Sequence, residues 1–417
     1  MKLLINICAQ DGIISHNCGV GTMVKRYIDT FIKIFENNNI NYHINLFTPE
    51  YRENGFGYSD VTKKYNENLE NVNIYEVSNG TDGKKFFGLK SNWEIISNNI
   101  AKIINTLPLS EYDYVITLAN DTPFAGILPL IQESKKHFKI WIPHSTAKIH
   151  QTESLDTKDA IDRIRWEENI IEYINNNNMS YLGAVGKYIT KHLIEEYNLN
   201  SNKVIPIFNG EMLFKENKYE ENETIKNVYQ KINKEGDIIL SFGRPEKYKN
   251  LDASMKIAKE LNMRSIIVTQ EYYPDMPYVN YLKELARETK TELYLNTSFH
   301  LPQYILNNYE NNIVLIVPSK KEIAGLVINE IRRFNKDNIL LVANDVDGLN
   351  EQIDDEIDGI LINTDNIKSS ANKIKKYLNK ESIVKINCNS QKRLKKDYDF
   401  EENCKKFLFK LIGGLNE

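Results

Sequence analysis

Short, near-continuous apolar runs alternate with longer helical stretches along almost the whole chain of 417 residues. Six runs come first, at residues 3–9, 42–47, 72–77, 114–118, 139–142 and 181–185. A second series of six follows, at 238–242, 265–269, 292–295, 313–317, 339–342 and 359–362. Runs without strict alternation suit parallel strands buried on both faces. Helical stretches separate them, among them 24–36, 95–105, 251–261, 278–290 and 327–334. Strand–helix–strand alternation implies an α/β, doubly wound architecture, and two series imply two Rossmann-like domains.

The stretch 209–236 is the expected boundary, since it is rich in Glu, Lys and Asn and has no strand pattern beyond one solvated helix at 224–231. The domains expected are therefore 1–208 and 209–395, followed by a closing segment at 396–417. Residues 391–415 read as one helix, because Phe400, Cys404, Phe407, Leu408 and Leu411 recur at helical spacing. Two polar stretches, 49–70 and 78–93, read as long loops of the first domain, and loops of that length are usually functional or mobile.

Composition narrows the class further. Lys and Arg number 53, Asp and Glu 57, and hydrophobic residues make up 41%. These values exclude a wholly disordered chain, a collagen and a small disulfide scaffold. The net charge of -4 argues against nucleic-acid binding through one large basic surface. Cys8, Cys18, Cys388 and Cys404 show no C-x-x-C spacing. The first residues lack a signal peptide's apolar core, and no run approaches the roughly 20 apolar residues of a membrane span. The expectation is a reduced, cytoplasmic protein.

Ligands of open α/β sheets bind beyond the carboxyl ends of the strands. After the first run, Gly19-Val20-Gly21 sits just before a helix. Glycine lets backbone approach a ligand, and free N–H groups at a helix start favour an anion. A dinucleotide fingerprint wants a third small residue where Val24 stands, and the second run ends at Thr48 without an acid for a ribose. A plain tight turn explains these glycines equally well. His144 follows the fifth run, where its ring either faces a ligand or caps the next element. His150 reads as supporting or structural.

The second series is sharper. Its first run leads into Gly243-Arg244, with Lys249 five residues after Arg244. Arginine's planar fork and lysine's point charge converge well on one diphosphate. A cation at a helix start is not favoured by the dipole, so an anionic ligand accounts for the pair better than two solvated bases. Between Val317 and Glu330 the chain reads strand, loop, helix. Glu322 lies in the loop, Glu330 in the helix, and Gly325-Leu326-Val327 exposes backbone N–H groups as another anion seat. Two acids around such a seat suit sugar and ribose hydroxyls, and a capping glutamate plus a solvated one fits the pattern equally.

Together these elements resemble the retaining, nucleotide-sugar-dependent glycosyltransferases of the GT-B fold, in the large family 4 group. The resemblance spans nearly the whole chain. It rests on the G-x-G loop, His144, the stretch Ile205 to Gly210, Gly243-Arg244 with Lys249, and the E-x7-E element from Glu322 to Glu330. It continues in Asp347-Gly348-Leu349-Asn350-Glu351 and in Asp358 to Leu361. It implies two Rossmann-like domains facing across a cleft, with the last helix returning to the first domain. It also implies roles. Arg244 and Lys249 bind the donor diphosphate, which Gly19 and Gly21 approach from the other domain. Glu322 and the backbone at Gly325, Leu326 and Val327 hold the donor sugar and phosphate, and Glu330 binds the ribose. The turn Thr297 to Leu301, with Phe299 and His300, holds the base, and His144 contacts the sugar near the reacting carbon. His144 and Glu322 are thus the expected catalytic residues.

The chain departs from the family where Cys18-Gly19 replaces two glycines, Asn250 follows Lys249 in place of glycine, Ala324 replaces an aromatic, and Asp347-Gly348 replaces Gly-Gly. The activity implied is transfer of a hexose-type sugar from a UDP- or GDP-sugar to a hydroxyl acceptor: a glycan, lipid-linked glycan, peptide or small molecule. Retaining members use front-face attack, in which the leaving phosphate oxygen takes the acceptor proton. Fixed cations and helix N-termini stabilise the leaving group, so neither metal nor cofactor is expected. Asp345 and Asp347 form an Asp-x-Asp pair, but it matches the late GT-B loop better than a metal site. The alternatives are a nicotinamide (NAD)-dependent oxidoreductase, a nucleotide-sugar-binding protein without catalysis, and an epimerase. Lys392, Arg393, Lys395, Lys396, Lys405 and Lys406 suggest weak peripheral membrane contact, although interleaved acids favour a solvated helix face.

Overall fold

The structure, a computed structural model, describes residues 1–15, 18–53, 55, 57–84, 89–151, 155–215, 221–334 and 336–413. All twelve apolar runs form strands, and a short thirteenth joins the first series. The chain divides into two compact units, Met1–Met212 with Phe400–Glu417, and Leu213–Asp399.

The first unit holds β1 (Lys2–Cys8), β2 (Asn41–Pro49), β3 (Val72–Val77), β4 (Tyr114–Asn120), β5 (His137–Ile142), β6 (Ser180–Ala184) and β7 (Val204–Pro206). They form one sheet in the order β3-β2-β1-β4-β5-β6-β7, and every neighbouring pair is parallel. The second unit holds β8 (Ile238–Phe242), β9 (Arg264–Thr269), β10 (Glu292–Leu295), β11 (Ile313–Val317), β12 (Ile339–Asn344) and β13 (Ile360–Ile362). Their order is β10-β9-β8-β11-β12-β13, again all parallel. Both sheets reverse their winding once, between β1 and β4 and between β8 and β11. Loops diverge at such a switch point and leave a crevice at the carboxyl strand ends.

The central strands are buried on both faces because helices cover each side. In the second unit Ile238, Leu240, Leu315 and Leu341 enter one core layer. Their chain neighbours Ile239, Val314, Ile316, Leu340 and Val342 enter the opposite one. The edge strands β3 and β10 are only half-buried, unlike the edge strand β13, whose Ile360 and Ile362 are buried.

Four expectations about helices change, the first being that the helix expected at 95–105 spans Lys90–Thr106 and so takes the end of the stretch 78–93. The helix Gly19–Asn37 starts five residues before the expected position 24, so both glycines lie in its first turn. The stretch 49–70 is not all loop: Ser59 caps a helix, Asp60–Glu67, by accepting from the Thr62 N–H at 3.3 Å. That helix is mostly polar, which hid its period. The stretch 391–415 is not one helix: Lys380–Asp397 ends before Tyr398, and a new helix, Phe400–Ile412, begins. Within the first unit this last helix packs on Gly19–Asn37, with Phe400 5.3 Å from Tyr27 and Phe407 6.5 Å from Phe31 between ring centres. Residues 54, 56 and 85–88 of the two expected loops, 216–220 of the expected boundary and 414–415 of the expected last helix lie outside the described residues.

The Lys-rich tail is partly tied down. Arg393 pairs with Asp354 at 2.8 Å and Asp358 at 3.0 Å, and Lys405 pairs with Glu401 and Glu402. Neither is a loose surface cation, because carboxylates surround each. Among the described residues no helix is long and apolar enough to cross a membrane.

Candidate functional site

In the second unit the loops after β8 and β11 meet at the switch point. Lys249 Nζ lies 2.7 Å from Glu322 Oε2, with side chains 20% and 19% exposed. Backbone ties the same loops, since the Lys320 N–H donates to the Tyr248 carbonyl at 2.8 Å. Arg244 stands half exposed at the end of β8, 3.4 Å from Glu246 and 2.9 Å from the Tyr248 hydroxyl. Two cations, each beside a carboxylate, thus stand at the carboxyl end of β8 or its loop, with the cations partly open to solvent. Such a set attracts a polyanion and offers an acceptor to hydroxyl groups.

The departure at Asn250 has a local cause. Its φ is 56°, the left-handed region where glycine or asparagine is tolerated. The asparagine side chain adds two bonds that glycine lacks, to the Pro318 carbonyl at 3.1 Å and to Thr364 Oγ1 at 3.0 Å. It therefore fastens the β8 loop to the loops after β11 and β13. Asp347, with φ 44°, is likewise in the left-handed region. Its carboxylate accepts from the Glu322 N–H at 3.4 Å, and the Gly348 N–H donates to the Glu322 carbonyl at 2.7 Å. Asp347 is therefore engaged by the Glu322 loop.

Gly325 caps the helix Leu326–Arg332 with φ 43°, and Leu326 and Val327 form its first turn. Glu330 lies half-buried one turn in. Phe299 is 77% exposed in the turn after β10, while His300 caps the helix Leu301–Asn308 and its Nδ1 meets Gln303 Oε1 at 2.9 Å. That turn is joined to the loop after β9 by Gln270, which donates to the Thr297 carbonyl at 3.0 Å.

In the first unit, Gly21 faces a carboxylate that sequence reasoning missed. A methyl group on Gly21 would lie 2.5 Å from Cγ of Asp11. Buried Asp11 accepts from the Cys18 N–H at 2.8 Å, the Ser15 hydroxyl at 2.8 Å and the Gly12 N–H at 3.0 Å. The chain thus places its own anion beside the start of the helix Gly19–Asn37, where the dipole favours it. Burial and Asp11 push the Cys18 thiol up to about 12, so it stays protonated.

His144 stands past the end of β5. Its Nε2 is buried without a partner among the described residues. Burial lowers its pKa, and nearby Asp121 opposes the shift. Asp121, past the end of β4, is a second missed residue: φ 68° and ψ 170° put it where essentially only glycine is unstrained. Its N–H donates to the Ile142 carbonyl at 2.8 Å, so the β4 and β5 ends are fixed together. Asn120 Oδ1 and Gln10 Nε2, at the ends of β4 and β1, are also buried without partners among the described residues. Unsatisfied buried polar atoms are costly, and here they gather at the switch point between β1 and β4.

Glu167 fixes this end of the sheet from behind. It is fully buried on the helix Lys158–Asn176 and accepts from Thr122 Oγ1 at 3.0 Å, the Ala147 N–H at 3.0 Å, Arg163 Nε at 2.8 Å and the Tyr197 hydroxyl at 2.6 Å. Arg163 also reaches Ser145 Oγ at 2.9 Å. One ion pair therefore holds the residues beside both Asp121 and His144. No sequence motif singles it out, because its partners are up to 45 residues away.

Residues 222–398 match the family model described as Glycosyl transferases group 1. No curated protein matches the chain. Among solved structures, a sucrose-phosphate synthase from Thermosynechococcus elongatus is similar at 14% identity and a TM-score of 0.72, over 98% of both chains. A glycosyltransferase from Rickettsia africae gives 16% identity and 0.66, over 99% of both chains. HepE from Anabaena in complex with UDP-glucose gives 14% and 0.65, over 98% of this chain and 99% of that one. The chain thus has the two-sheet fold of GT-B glycosyltransferases, and most of its second unit matches the group 1 glycosyl transferases.

Proposed function

We propose that this protein is a glycosyltransferase that takes a hexose-type sugar from a UDP- or GDP-sugar and passes it to a hydroxyl acceptor with retention at the anomeric carbon. One observation carries the reading. Within the stretch that matches the group 1 model, Lys249 and Arg244 stand at the β8 end, and Lys249 meets Glu322 across the switch point. That HepE was solved with UDP-glucose supports a nucleotide sugar as the ligand.

In this scheme Arg244 and Lys249 bind the diphosphate. They stabilise the negative charge that grows on it as the glycosyl–phosphate bond breaks. Their fixed positive charges supply that stabilisation in place of a metal ion. Glu322 accepts hydroxyl hydrogens of the sugar, Glu330 those of the ribose, and the backbone at Gly325, Leu326 and Val327 lies along the sugar and phosphate. Phe299 and His300 border the base. Gly19 and Gly21 approach the diphosphate through backbone not covered by Asp11, which fills the space a Gly21 side chain would take. His144 meets the sugar near the reacting carbon, where its lowered pKa keeps the ring neutral and able to accept or donate one hydrogen bond. The leaving phosphate oxygen takes the acceptor proton, so no carboxylate nucleophile is assigned. The first domain, with the loops around 49–59 and 78–84, frames the acceptor.

A donor panel tests this reading. The purified protein should slowly release nucleoside diphosphate from one UDP- or GDP-sugar without acceptor. Arg244→Ala and Lys249→Ala should each lower the release by about 100-fold or more. Wild-type turnover in both variants would remove these residues from the site. Thermal stabilisation by NAD but by no UDP or GDP compound would favour an oxidoreductase.

A further inference from the structure

Gln352 lies under the loop that carries Glu322 and is 1% exposed. Its side-chain nitrogen is 2.5 Å from the Ala324 carbonyl, 3.1 Å from that of Gly348 and 3.3 Å from that of Gly325. An amide has two hydrogens, so one is shared between acceptors. Its oxygen accepts from Asn329 Nδ2 at 2.9 Å. Its backbone carbonyl accepts from Arg332 Nη2 at 2.7 Å. The Arg332 guanidinium is fully buried and also meets Asp358 at 3.3 Å and Asn329 Oδ1 at 3.3 Å. Gln352 is thus held on two sides, by Asn329 and Arg332, and in turn holds the loop above it.

The loop needs that hold. Ile323 is buried, but Ala324 after it presents only a methyl group, so the Ala324–Gly325 backbone has no large side chain of its own to anchor it. Gly325 sits at φ 43°, and a methyl group there would come within 2.8 Å of Gln352 Nε2 and of Leu349 Cδ2. Backbone of this kind keeps its shape only where its surroundings over-determine it. A buried carboxamide donating to two consecutive carbonyls does this by direction as well as by contact.

We propose that Gln352 is a positioning residue for the donor sugar: it fixes the Ala324–Gly325 backbone, and through it Glu322, in the orientation that binds the sugar of a nucleotide sugar. The inference rests on the donor-site reading above. Gln352 bonds to neither Arg244 nor Lys249, so its loss should weaken recognition of the sugar more than recognition of the nucleotide.

The test uses the full chain and two variants, Gln352→Met and the double variant N329L/Q352L. The double variant replaces both partners of the buried amide pair by apolar groups, which avoids leaving Asn329 unsatisfied. Binding of UDP and GDP, binding of the matching nucleotide sugars, and release of nucleoside diphosphate are measured together with thermal unfolding. The expected result is a folded protein that binds the nucleoside diphosphate within twofold of wild type, binds the nucleotide sugar at least tenfold more weakly, and releases product at least tenfold more slowly. Equal weakening for both ligands, or wild-type affinity for the sugar nucleotide, overturns the proposal. Failure of both variants to fold assigns Gln352 to stability alone and also overturns it. The donor-site reading fails differently, if Arg244→Ala and Lys249→Ala bind and turn over the nucleotide sugar as wild type does.

Discussion

Lys249 and Glu322 form one ion pair, 2.7 Å between Nζ and Oε2, from loops 73 residues apart. The residue proposed for the diphosphate therefore also orients the residue proposed for the sugar. Lys249→Ala and Glu322→Gln should each lower release of nucleoside diphosphate by about 100-fold, typical of removing one charge-stabilising group. The double variant should lose much less than the product of the two. The partly exposed pair should contribute only about 1 kcal/mol or less to stability, so unfolding temperatures should barely move. Strict additivity in the kinetic cycle would separate the two roles.

Asp121 offers a test in which stability and activity diverge. Its φ of 68° and ψ of 170° suit glycine, so Asp121→Gly relieves strain of about 1–3 kcal/mol. It also removes the side-chain cap on the Thr122 N–H, worth about 1 kcal/mol. The variant should unfold at the same temperature as wild type or higher, yet transfer should fall, because the carboxylate that acts on the His144 ring is lost. Unchanged transfer would leave the strain without a functional reason.

Gly348 tests how tightly the Glu322 loop is seated. A methyl group there would press into the Ile323 carbonyl and the Ala324 N–H. Gly348→Ala should destabilise by about 1–3 kcal/mol, in the range for overpacking. Donor turnover should fall with it. Denaturant unfolding and the release assay check both.

Acid should weaken the first unit through its histidines. Burial holds the His137 ring down to about 3, and lowers His144 in the same direction. Both stay neutral when folded, while the unfolded chain takes up protons below about pH 6.5. The unfolded state then binds more protons, so stability is complete above that pH and falls below it. Well below that pH the slope for His137 approaches about 1.4 kcal/mol per pH unit, and His137 sustains it to about pH 3; His144 adds to it in the same direction. Urea midpoints at pH 7, 6 and 5 should decline, and His137→Gln should flatten the decline. Midpoints independent of pH would contradict the assignment of buried neutral rings.

Glu167→Ala should be the most damaging substitution in the first unit. It leaves Arg163 buried without its carboxylate, a loss of about 3–5 kcal/mol. Thermal unfolding should show a large drop, and Glu167→Gln a smaller one, because the amide keeps an acceptor for Tyr197 and Ala147.

The strands were legible because strands buried on both faces are near-continuously apolar, as β8, β11 and β12 are, and even the half-buried β3 and β10 keep enough apolar residues to show. The exception, β7, has three residues and ends in Pro206, too little for a pattern. The position of Arg244, Lys249 and Glu322 in strand-end loops was legible because each follows an apolar run. Asp11, Asp121, Glu167 and Gln352 were not. Each acts through a backbone conformation or a partner that folding supplies, as when Asp11 fills the space over Gly21. Asn250 and Asp347 looked like departures by letter, yet their positive φ values show that both backbones meet the requirement a glycine would meet.

The Phe400 N–H donates to the Glu211 carbonyl at 3.0 Å, inside the first unit. The stretch Leu213–Asp399 therefore leaves and re-enters that unit at almost the same point. In chain topology the second unit is an insert, not a C-terminal half. A hybrid enzyme that exchanges donor specificity should be cut twice, near 212 and near 400, keeping the last helix with its own unit. A single junction would pair the helix Gly19–Asn37 with a foreign partner at Tyr27 and Phe31.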